Sequence, residues 1–167
     1  MNLALLVLRL TVGLLVAAHG IQKVSNHLGG HGLEAEAVDL AAHGLRGGKA
    51  AAALSGLTQI GAGLSISAGF LTALGTAGVI GVMLVAASTK VAHGLWVQRD
   101  GMEYPLLLAV LAAVVAIAGP GHWSFDRLAG FPDNRVSALV AIGVGVVAAA
   151  ATVPALRQRS HQASDQL

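Results

Sequence analysis

LALLVLRLTVGLLVAAHGIQK, residues Leu3 to Lys23, is an apolar run of bilayer-crossing length that ends in a cluster of polar side chains. A spanning helix needs about 20 mostly apolar residues, and the apolar part, Leu3 to Ile21, is close to that length. His19, Gln22 and Lys23 follow one another at i, i+3 and i+4, so they share one face of the last helical turn. Polar groups gathered in this way on a membrane helix mark a functional site by default. Ala17 and Ala18 resemble a signal-peptidase site, but Arg9 lies inside the apolar run instead of before it, so the segment is expected to stay as a span.

Composition extends this reading to the whole chain. With 55% hydrophobic residues, 11% charged residues and a mean hydropathy of +0.73, the 167-residue chain departs from soluble domains, in which about 25% of residues are charged. It reads as an all-α, polytopic membrane protein of one domain. The net charge of +2 is spread over loops and gives no nucleic-acid footprint. There is no cysteine, which removes disulfides, thiolate redox cycles, Fe–S clusters and cysteine-ligated zinc.

Five apolar runs are candidate spans: Leu3 to Val24, Ala51 to Leu71, Thr76 to Trp96, Pro105 to Gly119 and Val136 to Leu156. The fourth is short and gains a turn if Glu103 and Tyr104 are helical, with Pro105 tolerated there. Its end is marked by Gly119, Pro120 and Gly121. Glycines and small residues four apart, as at Ser65 and Gly69 or Ala77 and Gly81, predict close helix packing in lipid. The linker Ser25 to Lys49 places Leu33, Val38, Leu40 and Leu45 among Glu34, Glu36 and Asp39, the pattern of a short interfacial helix.

Five crossings put the end of the first span, the start of the second, the end of the third and the start of the fourth at one membrane face. That face holds Lys23, Arg46, Lys49, Arg99, Arg157 and Arg159, against Arg127 and Arg135 on the other. The positive-inside rule then places the N-terminus outside and the C-terminus in the cytoplasm. The same face collects the unusual polar residues: His19, Gln22 and Lys23, Gln59 about two turns into the second span, Lys90 and His93 three apart on the third, and Glu103 and Tyr104 on the fourth.

Plainer roles compete with a shared ligand site. Lys23 can snorkel to headgroups, Trp96 and Tyr104 fit an aromatic belt, and a lone histidine in a bundle is more often a packing residue. Lys90 needs a counter-charge, for which Glu103 is the natural candidate. Arg9 raises the same need at the opposite face, with Asp126 as its candidate partner in a structural ion pair. His27 and His31 have i, i+4 spacing, but Gly29, Gly30 and Gly32 argue against a helical turn there, and no metal site is expected.

Arg9-Leu10 with His19-Gly20-Ile21-Gln22-Lys23, followed by Glu103-Tyr104-Pro105-Leu106-Leu107-Leu108 and Gly119-Pro120-Gly121-His122-Trp123-Ser124-Phe125-Asp126, resembles the DoxX family of small bacterial membrane proteins. The resemblance implies a four-helix core over residues 1–128 that includes the interfacial linker 25–49. Residues 129–156 then form a loop and an added fifth transmembrane helix, and residues 157–167 a short polar tail. It implies location in the bacterial inner membrane and a part in redox-linked assemblies, some relatives being thiosulfate:quinone oxidoreductase subunits and others serving oxidative-stress defence. Where members often carry a glutamate at the start of the second helix, this chain has Gln59, which cannot titrate.

The leading functional expectation is a membrane subunit that binds a quinone or similar amphipathic molecule beside an oxidoreductase partner. In it His19, Lys90 and His93 are polar ligands, Glu103 sets their charge and Tyr104 lies near the mouth. The alternatives are a non-catalytic scaffold recruiting soluble redox enzymes through the linker and, ranked lowest, a small-molecule or proton transporter. Lipid contact is expected throughout, and a homo-oligomer is compatible with the small-residue faces.

Overall fold

The computed structural model describes residues 2–131 and 135–157, and among these the regular structure is helical throughout. The order is α1 (Asn2–Val24), α2 (Gly32–Ala42), α3 (Gly48–Ala68), α4 (Thr72–Thr89), α5 (Glu103–Ala118), α6 (Phe125–Leu128) and α7 (Arg135–Leu156), with short 3₁₀ turns at His27–Gly29, Val91–His93 and Val97–Arg99. Four helices, α1, α3, α4 and α7, are long and apolar enough to cross a membrane. The apolar α5 has 16 residues, about 24 Å at 1.5 Å per residue, and is the shortest of the five long helices. The protein is a helical membrane bundle.

The core lies between α1, α3, α4 and α5, where Val12, Val16, Ile66, Val79, Leu108 and Val115 are almost completely buried. On the outer surfaces leucines, valines and isoleucines stand exposed along the same helices, as lipid-facing residues do. The most extensive helix contact joins α1 to α3, and α7 packs chiefly on α4, outside the four-helix core. Two glycine contacts set the α1–α3 distance. A Cβ on Gly63 would lie 2.4 Å from the Gly13 carbonyl oxygen, and one on Gly20 would lie 2.5 Å from that of Gly56. Glycines seven apart on each helix thus meet in antiparallel register, the close approach that small residues allow in lipid. The expected pair Ala77 and Gly81 does the same for α7, since a Cβ on Gly145 would fall 2.7 Å from the Ala77 carbonyl.

The third span is shifted from its expected place. Thr76 to Trp96 becomes Thr72–Thr89, and the chain leaves the helix before Lys90. The cause is a tight α3–α4 turn in which Gly69 and Leu71 adopt left-handed backbone angles and Asp126 caps the new helix, its carboxylate accepting the Leu71 and Thr72 amides at 2.7 and 2.8 Å. The second span likewise begins earlier, at Gly48. The linker helix is present as α2. The Arg46 amide donates to the Leu156 carbonyl at 2.6 Å, so the end of α7 lies beside the linker. Of the expected polar tail, residues 158–167 lie outside the described residues, as does Arg159.

Candidate functional site

The last turn of α1 forms the site's wall. A Cβ on Gly20 would collide with α3, and His19, Gln22 and Lys23 of the same turn are only partly buried. They line an open pocket of about 800 Å³, closed on its far side by His31, Glu34, Glu36 and Asp39 from α2 and the loop before it. That loop is pressed onto α1 at Gly30, where a Cβ would stand 2.3 Å from the Gln22 carbonyl.

Hydrogen bonding sets the protonation pattern. The Gln22 Nε2 donates to the Leu28 carbonyl at 2.7 Å, which leaves Oε1 as the acceptor facing His19 Nδ1 at 3.1 Å. The proton of a neutral His19 therefore sits on Nδ1, and Nε2 accepts from the Tyr104 hydroxyl at 2.9 Å. Tyr104 belongs to α5, so this chain of bonds links the first and fourth helices of the core. Lys23 is paired with Glu36 of α2, both side chains mostly buried, which replaces the snorkelling role with a bond that draws the linker helix over the pocket. An exposed pair, Lys49 with Glu34, ties the first turn of α2 to α3. Its hydrogen bond holds the Glu34 carboxyl below the usual carboxylate range.

The expected single site divides in two. Lys90 and His93 are absent from the His19 pocket. Lys90 caps α4, His93 lies in the following 3₁₀ turn, and both face Asp100 in the α4–α5 loop. Asp100, not Glu103, is the counter-charge of Lys90, whose hydrogen bond holds the Asp100 carboxyl below its ordinary range. Glu103 instead accepts the Val97 amide at 3.0 Å and braces that loop. Gln59 is not at the membrane face either. It lies three turns into α3, 2% exposed, on the stripe between Gly56 and Gly63, and its Oε1 has no hydrogen-bond partner among the described residues.

Arg9 and Asp126 form no direct ion pair among the described residues. Arg9, 2% exposed, donates to the carbonyls of Ile66 at 3.1 Å, Ser67 at 3.2 Å, Trp123 at 3.0 Å and Pro120. Asp126 caps α4, and its own amide donates to the Gly69 carbonyl at 2.7 Å. Each charge is satisfied by helix-end backbone of the opposite polarity. Asp126→Ala is expected to destabilise the bundle by about 1–2 kcal/mol through loss of this cap, read as a lower thermal midpoint in detergent with His19-pocket binding retained.

Sequence reasoning missed Glu36, Asp100 and His43. Glu36 and Asp100 are separated from their lysines by 13 and 10 residues, across a loop whose path no local pattern fixes. His43 had no signal beyond being a histidine at the end of the linker helix.

A DoxX family model matches residues 4–94, more than half of the chain. No curated protein and no solved structure matches it.

Proposed function

The chain belongs to the DoxX family, and from that premise we propose that it is a membrane subunit of a redox-linked system that binds a quinone or similar amphipathic molecule in the His19 pocket. The observation that carries this reading is the pocket itself: about 800 Å³, at the end of a spanning helix, with its polar wall joined to α5 by the Gln22–His19–Tyr104 chain of hydrogen bonds. The volume lies in the range of small-molecule and cofactor sites. The donor set fits a group with two carbonyl oxygens. Lys23 keeps N–H bonds beyond the one given to Glu36, and Gln22 keeps one beyond that given to Leu28. A quinone supplies acceptance of two electrons and two protons when bound. The chain's own groups hold and orient the carbonyls, and His19, bonded to both Gln22 and Tyr104, fixes the wall they stand on. The electrons belong to an oxidoreductase partner, and the side that carries the linker, the cytoplasmic one if the positive-inside rule holds for this chain, is where we expect it to dock.

The test is extraction of the detergent-purified protein with organic solvent and mass analysis for ubiquinone or menaquinone, with titration by a short-chain analogue of each. A retained quinone and saturable analogue binding are expected, with binding weakened roughly tenfold in Gln22→Ala, equivalent to one hydrogen bond of about 1.4 kcal/mol. No extracted quinone, and no analogue binding at high micromolar concentration, overturns the proposal.

A further inference from the structure

We propose that His43, His93 and Asp100 form a site for a divalent transition-metal cation of the zinc class, joining the linker helix to the α4–α5 loop. Each offers one ligand atom, and the three atoms lie within 4.8 Å of one another. Ligands of a tetrahedral zinc with bonds near 2.0–2.1 Å are about 3.3 Å apart, and His93 Nδ1 already stands 3.6 Å from Asp100 Oδ2. Rotation of side chains that remain partly exposed closes the rest.

Two of the three ligands, His43 and Asp100, are prepared by their surroundings. His43 Nδ1 is 2.8 Å from the Asp39 carbonyl oxygen, which can only accept, so the proton sits on Nδ1 and Nε2 carries the free lone pair. The Asp39 carboxylate is 3.6 Å from the same nitrogen. A carbonyl or carboxylate behind the imidazole is the usual support of a metal-binding histidine. Asp100 occupies a left-handed backbone position, φ 56°, in a loop closed by the Met102 amide on the Gly94 carbonyl at 3.1 Å and the Glu103 amide on the Leu95 carbonyl at 2.8 Å. That closure turns Asp100 back toward His93. Its hydrogen bond with Lys90 keeps it ionised and uses Oδ1, leaving Oδ2 on the histidine side.

Two imidazoles and one carboxylate suit zinc and its neighbours, not calcium or magnesium, which prefer all-oxygen sets. Three protein ligands leave a fourth position for water. The cation would fix the end of α2 against the loop entering α5. Lys90 opposes it, because its ammonium competes for the same carboxylate.

The experiment uses the full chain in detergent, with any affinity tag removed and metal stripped by chelator, titrated with Zn²⁺ by calorimetry and with Co²⁺ by visible absorption. One Zn²⁺ per chain is expected, with a Co²⁺ d–d band of four- or five-coordinate intensity. His43→Ala and Asp100→Asn should each weaken Zn²⁺ binding by roughly tenfold or more, Lys90→Gln should strengthen it, and the control pair His27→Ala and His31→Ala should leave it unchanged. Helical content measured by circular dichroism separates ligand loss from misfolding. The proposal fails if no saturable Zn²⁺ binding is seen, or if binding survives the His43 and Asp100 substitutions undiminished.

Discussion

Arg9→Met is expected to lower the stability of the assembled bundle by about 3 kcal/mol or more, since a buried acceptor left without its donor costs roughly 1–3 kcal/mol. The guanidinium serves four carbonyls from two places, the C-terminal end of α3 and the segment after α5. Methionine keeps much of the stem and removes every donor. The Ile66 and Ser67 carbonyls then lose the cation that complements the end of α3, and the Pro120–Trp123 segment loses its tie to α1. Lysine is expected to restore only part of the loss, because a compact ammonium cannot fork across widely spaced acceptors. Membrane insertion should move the other way, as an arginine within a spanning segment costs about 2.5–3.5 kcal/mol on insertion scales. Arg9→Met protein should therefore reach the membrane in at least normal amounts yet unfold at a lower temperature in a detergent thermal-shift assay. A midpoint equal to that of the unaltered protein would show that the four bonds carry no net stability.

The same corner shows which features are legible in the sequence. Arg9 and Asp126 stand out by residue type alone, because charge in or beside an apolar run demands a partner. An ion pair is the simplest guess from a string of letters, but the partners are main-chain carbonyls and amides, which every residue carries and no pattern marks. The third span departs from its expected bounds for the same reason. Thr72 and Leu71 look like turn residues until Asp126, 54 and 55 positions away, accepts their amides and starts the helix there. The helix also ends earlier, at Thr89, and Lys90 stands at the start of a loop where Asp100, not Glu103, is its partner. The His19, Gln22 and Lys23 cluster is legible because i, i+3 and i+4 proximity is local geometry. Its partners Glu36 and Tyr104 come from other elements, and so does the pocket.

Gly63→Leu is the second large effect, with an expected loss of about 3 kcal/mol, the upper part of the usual range for overpacking. The new Cβ would meet the Gly13 carbonyl oxygen at 2.4 Å and the Ala17 amide nitrogen at 2.7 Å, both main-chain atoms that cannot rotate aside. Only separation of α1 from α3 relieves the collision, and that opens the most extensive helix contact in the protein. Gly61 provides the contrast. It lies on the same helix, in an apolar groove between α3, α4 and α7, and a Cβ added there would meet nothing within 4 Å. Gly61→Leu should stay within about 0.5 kcal/mol of the unaltered protein, as surface substitutions usually do. The pair also bears on function, since His19 stands one residue before Gly20, whose contact with Gly56 depends on the same helix separation. Forcing the helices apart at Gly63 should shift His19 from Tyr104 and weaken quinone-analogue binding along with the thermal midpoint. Gly61→Leu should change neither, and equal losses in both variants would mean that helix hydropathy, not the glycine contact, governs the bundle.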